Sequence, residues 1–530
     1  MSENTSVSAK ARTGLLLSLL LLCWLPLWPQ AGAPLAPEHP DTLYLHSEIL
    51  IDPWAWLRQR EHPQLPGVLA AEERYAESQL KSSRRLARKL VKEMNWGSPK
   101  EHTSEPREEN GYLYYTKTRS NQSYPVHYRR LDSPNAREQV ILDENKLARG
   151  HSFFSLDVFK VSPDTRFLAY SADFTGDEDY ALFIKDLEAG ATWETRIINL
   201  DDALWLPDSR SLLLTTVNSR FQTDSAWLYD STTGQFTSLY EESDPTFDLG
   251  IDYSEDRQFI FLSSSSSDTV QNWFLRADDP ACTLRPFNPR VRYTEIYPEH
   301  MAGSFYLLSN HEYQDFALYR AADDSIAMSA WSILVPGRTG EPIENYLLLK
   351  DTVAVLKRKG GFQCLDLIDL ASGQLRRAIQ PESPSQLGLL DLAPCGSDSL
   401  FYYLENEATP YTEIRHLVSS GKEMVIYPDL WEMASGYPEY RIELHWVVAP
   451  DSVRIPLRLI CRKDLDTSLP QPLWLYGYGA YGSCEDPYFD FSLLSLLDRG
   501  FIYAVAHVRG GGELGLAWQQ GGRHLNKLNS

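Results

Sequence analysis

The chain has 530 residues, too many for one ordinary domain, and at 43% hydrophobic and 12% aromatic it has apolar side chains for more than one core. Its 50 basic and 72 acidic residues give a formal charge of −22. Such a balance argues against a nucleic-acid partner and favours basic ligands, unless it marks only a solvated surface.

Lys10 and Arg12 precede an apolar run at 15–28 that is too short and too proline-broken for a membrane span. Ala31-Gly32-Ala33 then supplies the small residues that signal peptidases require. Residues 1–33 read as a signal peptide, cleaved near Ala33, of a periplasmic or secreted protein with no stable membrane insertion afterwards. The alternative is an anchor left uncleaved. Cys23 follows leucines rather than a small residue, which argues against a lipoprotein signal. The other five cysteines, Cys282, Cys364, Cys395, Cys461 and Cys484, are widely spaced and contain no C-x-x-C pair. They read as buried thiols in strands rather than a disulfide framework. No zinc spacing, H-E-x-x-H, Walker loop or dinucleotide fingerprint occurs, so neither metal nor cofactor is expected.

Residues 34–60 are proline-rich and carry Asp52-Pro53-Trp54-Ala55-Trp56-Leu57-Arg58. Apolar positions including Val68, Tyr75, Leu86 and Leu90 predict a helix over 66–94, with the basic residues of 81–92 on its solvated face, ended by Asn95 and the Trp-Gly-Ser-Pro that follows. Residues 34–104 therefore read as an N-terminal helical segment.

From 105 to 432 the texture is β. Apolar-aromatic runs begin at Tyr112, Phe167, Ser211, Phe259, Phe305, Val353 and Leu400, spaced 44 to 55 residues apart. Several follow the same turn chemistry, as in Ser162-Pro163-Asp164, Leu206-Pro207-Asp208 and Ser254-Glu255-Asp256, and several are followed by a second run such as Trp227-Leu228-Tyr229-Asp230. Seven units near 47 residues predict a seven-bladed β-propeller, each blade a four-stranded sheet. A β-sandwich with accidental spacing is the competing reading.

From 433 onward the order changes to strand, strand, strand, helix, strand: Tyr440–Val448, 453–462, Leu473–Tyr476, Phe491–Leu497 and 501–508. This is the opening of an α/β sheet. The runs at 473–476 and 501–508 are continuously apolar and each feeds a glycine-dense turn, which suits buried parallel strands with functional loops at their carboxyl ends.

The motifs Tyr476-Gly477-Tyr478-Gly479-Ala480-Tyr481-Gly482 and Leu497-Asp498-Arg499-Gly500 through Arg509-Gly510-Gly511-Gly512-Glu513 resemble the prolyl oligopeptidase family of serine peptidases, its oligopeptidase B branch above all. Asp52–Arg58 resembles the family's amino-terminal signature, with Trp54 where tyrosine is usual, and the likeness runs from about residue 40 to the end. The resemblance implies a seven-bladed propeller capping an α/β-hydrolase domain, with residues 34–104 packing on the peptidase domain and short peptides as substrates. It assigns an oxyanion-hole hydroxyl to Tyr478, a donor aimed at charge that develops in the tetrahedral intermediate. Of two acidic positions that hold basic substrates in the oligopeptidase B branch, one matches Asp486 and the other falls on Tyr488; Glu485 is a neighbouring substitute. Arg509 and Glu513 belong to a loop motif and read as loop-fixing residues, with substrate contact as the second reading.

Family catalysis also needs a serine on a G-x-S-x-G elbow, then an aspartate and a histidine. The 530 residues contain no G-x-S-x-G. His507 lies in a strand motif and His524 comes too early in the hydrolase order, so both read as structural. The resemblance also implies that the elbow strand pairs beside Leu473–Tyr476, whose edge is otherwise unpaired and prone to aggregation. The domain at 433–530 thus reads as an incomplete hydrolase and the chain as an inactive fragment of a serine endopeptidase. The alternatives are a non-enzymatic propeller that binds peptides or proteins, and an enzyme completed by a second polypeptide.

Overall fold

The computed structural model describes residues 32–95, 101–133, 135–393, 395–426 and 439–530. The signal segment up to residue 31, the helix-ending residues 96–99 and the domain junction at 432 lie outside them. Two compact units divide after Glu93.

In the first unit, helix Leu65–Leu80 and helix Arg84–Met94 are joined by a 3-10 turn at Lys81–Ser83. The helical expectation for 66–94 is met with one tightened turn. A hairpin of Asp41–Leu45 with Glu48–Asp52 was not foreseen; neighbouring prolines masked its two short apolar runs, and His46 at φ 55° makes its turn. Trp56 is buried, donates from Nε1 to the Pro37 carbonyl at 2.9 Å and packs on His39 and His62.

The second unit begins with seven antiparallel sheets, each built from one continuous stretch of chain. Blade 1 occupies 101–143, blade 2 155–194, blade 3 200–241, blade 4 248–286, blade 5 296–335, blade 6 343–379 and blade 7 386–425. Each apolar run that set the period falls in the second strand of its blade. The first strand is innermost and the fourth is the exposed rim. Blade 1 starts at Glu101, four residues before 105, and its first strand is interrupted at Pro106 into Glu101–Thr103 and Arg107–Glu109.

Both faces of a blade are apolar, so consecutive blades bury clusters between them. Leu168 and Tyr170 meet Ile141 between blades 1 and 2, Trp205 and Leu212 meet Leu182 between 2 and 3, and Ile260 meets Leu213 between 3 and 4. Phe305 meets Phe261, Val353 meets Leu308, and Leu400 meets Leu365 at the next three junctions. Polar ties recur at one blade's spacing: Trp205 Nε1 donates to the Lys160 carbonyl and Tyr253 Oη to the Trp205 carbonyl. Between blades 7 and 1 no cluster of buried apolar residues spans the junction among the described residues; Arg107 and Asp391, 3.0 Å apart, connect them instead.

The rest is a partial α/β-hydrolase domain. Strands Tyr440–Val448, Arg454–Arg462, Ile502–Ala506 and Leu473–Tyr476 form a sheet in that spatial order, the last two parallel. Helix Phe491–Leu497 is capped by Asp490, which accepts from the Ser492 N–H, and buries Leu494 and Leu497 against Ile460. The expectation of a buried strand at Leu473–Tyr476 fails. Its four side chains are 42–59% exposed, and among the described residues the strand pairs only with Ile502–Ala506, which leaves the unpaired edge expected from the family resemblance. Three of the five cysteines are outside strands; only Cys364 and Cys461 sit in them, and all five are free thiols.

Ile260→Ala, which opens a hole between blades 3 and 4, should cost about 3 kcal/mol. Arg107→Ala, at the polar junction, should cost no more than about 1 kcal/mol. Urea midpoints at constant m-value compare the two.

Candidate active site

The turn after Leu473–Tyr476 and the turn after Ile502–Ala506 close on each other through glycines. Gly479 (φ 63°) and Gly510 (φ 99°) lie so near that a Cβ on Gly510 would strike the Gly479 carbonyl. Gly482 N–H donates to the Gly510 carbonyl at 2.9 Å. Tyr478 rides on this turn with its side chain half exposed, its ring 6.5 Å from that of Tyr481.

Glu513 is buried and fixes the second loop. It accepts from the Glu485 N–H at 3.1 Å and pairs with His507 Nδ1 at 3.1 Å. His507 is buried, packs edge-on against Phe362 of blade 6 and has its pKa lowered, by burial first. Arg509 binds Asp451 at 2.5 Å and the Asn529 carbonyl at 3.1 Å. His524 is exposed, in the short 3-10 stretch His524–Asn529.

Asp486 faces the propeller. Arg358, buried in the second strand of blade 6, donates from both terminal nitrogens to the two Asp486 oxygens at 2.7 and 2.8 Å, and from Nε to Glu344. Burial works against the guanidinium charge, but Asp486 and Glu344 more than offset it and raise its pKa. Both Asp486 oxygens are thus engaged by Arg358, while the neighbouring Glu485 side chain shares the lining of a smaller cavity with Asp486.

Further bonds fasten the same seam. Asp315 of blade 5 accepts from the Leu516 N–H and the Gly340 N–H, each at 2.7 Å. Glu405 of blade 7 accepts from the Phe489 N–H at 3.1 Å. Glu407 pairs with Arg458 at 2.9 Å, both buried, and burial raises the Glu407 pKa against the pull of Arg458. All these residues lie at second-to-third-strand connections, or beside them, so the hydrolase part sits on that face of blades 5, 6 and 7.

A cavity of about 1160 Å³ runs from the loops at Tyr481–Cys484 and Gly512–Gln519 along the inner strands of blades 1, 4, 5, 6 and 7. Nine carboxylates line it: Glu108, Glu109, Asp252, Glu255, Glu295, Glu299, Asp315, Glu344 and Asp391. The two lining cations, Arg107 and Arg257, are already paired with Asp391 and Glu109. Crowding and low dielectric oppose ionisation. Burial, then the Asp391 charge, pushes Glu255 up to about 7, and burial pushes Glu299 up to about 8. The thiols of Cys395 and Cys484, also in the lining, are each pushed up to about 12, first by burial.

Of the four residues singled out from the sequence, none lines this cavity. Asp486 lines a second one of about 330 Å³ with Glu407, Glu485, Trp474 and Tyr503. The cavity carboxylates were missed. Their only sequence trace is a charge within an apolar strand, as in Ile296-Tyr297-Pro298-Glu299-His300-Met301.

Residues 34–428 match the family description "Prolyl oligopeptidase, N-terminal beta-propeller domain", and residues 487–530 match "Prolyl oligopeptidase family". The chain is 30% identical to dipeptidyl aminopeptidase BI of Pseudoxanthomonas mexicana, over 98% of this chain and 75% of that one. It is 25% identical to protease 2 of Moraxella lacunata, over 94% and 73%. Oligopeptidase B from Leishmania major superposes with a TM-score of 0.82 at 24% identity, covering 94% of this chain and 75% of that structure. The chain belongs to the prolyl oligopeptidase family of serine peptidases. Its fold is the propeller and partial hydrolase that the sequence led us to expect.

Asp486→Asn should destabilise the protein by about 3 kcal/mol, because it leaves a buried guanidinium short of one charge partner. Arg358→Met combined with Asp486→Leu should recover most of that loss, as read from urea unfolding.

Proposed function

We propose that this chain supplies the propeller, the substrate cavity and the oxyanion arm of an exported serine peptidase that cleaves short peptides at basic residues through an acyl-enzyme. The observation that carries the reading is the cavity: nine carboxylates, with both of its cations already paired, form a negative well that attracts Lys and Arg side chains. Five of the nine, Glu108, Asp252, Glu255, Glu295 and Glu299, lie outside those two pairs and outside the seam bonds of Asp315 and Glu344, and can meet an incoming cation directly or through water.

The hydroxyl of Tyr478 is the donor for the oxyanion. Its half-exposed position on the glycine turn supports this role, since a donor useful only in the tetrahedral state must not be spent on a protein partner. Arg509 and Glu513 hold the facing loop through Asp451, His507 and Glu485, and Asp486 locks the oxyanion loop to blade 6 through Arg358. The acyl group itself requires a serine on an elbow with an aspartate and a histidine behind it. These 530 residues carry no such elbow, so we infer that the chain as it stands binds peptides and does not turn them over.

The assay is the 530-residue protein with Arg- and Lys-containing peptide amides. Expected is saturable binding without hydrolysis; turnover abolished by a fluorophosphonate would sink the inactive reading, and equal affinity for Glu-containing peptides would sink the specificity.

Ionisation gives a second check. Glu255 and Glu299 become charged as pH rises through about 7 to 8, so affinity for a dibasic peptide should increase from pH 6 to pH 9. Folding stability moves the other way. These carboxyls stay protonated in the folded chain while the unfolded chain ionises them near 4.5, so their contribution falls as pH rises from there to about 8 and then levels.

A further inference from the structure

One guanidinium at the seam has a better-formed site than its charge requires. Arg358 keeps only 2% of its side chain exposed. Its two terminal nitrogens fork onto the Asp486 oxygens at 2.7 and 2.8 Å, one of them also donates to the Gly361 carbonyl at 3.2 Å, and Nε donates to Glu344. The three acceptors come from different places, and each is held by something other than Arg358. Glu344, on the inner strand of blade 6, accepts from Gln363 Nε2 at 2.7 Å, and Gln363 accepts in turn from the Leu387 N–H of blade 7 at 2.9 Å. Gly361 lies in the turn between the second and third strands at φ 95°, a conformation that favours glycine. Asp486 follows Glu485, whose N–H is bound by Glu513.

The neighbouring pair shows the contrast. Arg458 and Glu407 are as deeply buried, yet Arg458 Nε and Glu407 Oε2 have no partner among the described residues. That pair neutralises charge; the acceptors around Arg358 also match the shape of a guanidinium. Their position matters too, because Glu344 lines the large cavity and Asp486 the smaller one. The Arg358 guanidinium therefore joins the walls of both.

We propose that Glu344, Asp486 and the Gly361 carbonyl form an arginine-recognition site that Arg358 fills from within, and that Arg358 thereby keeps the chain from selecting arginine over lysine in a bound peptide. Arginine presents a planar fork that such a site fits, whereas lysine presents a compact charge that it does not. With the fork occupied, an incoming basic side chain meets Glu108, Asp252, Glu255, Glu295 and Glu299 in a wide cavity, where charge counts for more than shape. The consequence for peptides rests on the basic-peptide reading above; the site itself does not.

The probes are methylguanidinium and methylammonium at equal, low millimolar concentration, and two peptide amides that differ only in Arg or Lys. Arg358→Ala should bind methylguanidinium saturably by calorimetry and regain about half or more of its lost thermal midpoint through that binding, with methylammonium doing neither. The native protein should give the same weak heat with both ions. Arg358→Ala should prefer the Arg peptide about tenfold, against less than about threefold in the native protein. Adding Asp486→Asn to Arg358→Ala should abolish the methylguanidinium response. Arg358→Met with Asp486→Leu, which removes the site and keeps its volume apolar, should behave as native with both ions. If Arg358→Ala unfolds and methylguanidinium does not restore it, or if it folds and treats the two ions alike, the proposal fails. A tenfold preference for the Arg peptide already present in the native protein also overturns it. If the native protein binds neither peptide, the basic-peptide reading fails, and the methylguanidinium measurements still decide the site.

Discussion

A blade is a twisted sheet whose two faces are both apolar and which has no layer of its own to cover them. It can exist only between two others. This need for mutual covering produces the ring: Leu212 at the 2–3 junction, Ile260 at 3–4 and Phe305 at 4–5 are each fully or almost fully buried by side chains about a blade's length away in sequence. The inner strands then have only their outward face for the core. Their other positions point to the axis, where carboxylates such as Asp252, Glu295 and Glu299 collect.

The electrostatics of the molecule follow from that partition. At the seam, charge is consumed in pairs: Arg358 with Asp486 and Glu344, Arg458 with Glu407. Buried pairs of this kind fix geometry more than they add stability, and their donors hold the loops after Leu473–Tyr476 against one edge of the propeller. In the axial cavity, charge is left over, and the protein accommodates it by keeping Glu255 and Glu299 partly protonated near neutral pH. One loop region, 481–486, belongs to both settings, with Cys484 facing the cavity and Asp486 facing Arg358.

Much of this was legible because it is periodic or local. The second strands of the blades announce themselves through apolar runs after a repeated turn, and Phe491–Leu497 reads as a helix from the sequence. The glycine motifs identify the family since close backbone approach demands glycine at Gly479 and Gly510. What escaped has its partner far away. Nothing near Arg358 foretells Asp486, 128 residues on, except that an arginine in an otherwise apolar strand needs a partner. Asp315 and Leu516 are 201 residues apart. The hairpin at 41–52 was hidden by prolines, and composition alone made Leu473–Tyr476 a buried strand where only the family resemblance pointed to an unpaired edge.

Among the described residues the junction between blades 7 and 1 is polar, which makes the propeller, in energetic terms, a bent row rather than a closed circle. Nearest-neighbour coupling then has two ends, and each end blade has one partner fewer than the five within. Such an array frays from its termini inward, with blades 1 and 7 exchanging their amide hydrogens first and the interior blades last.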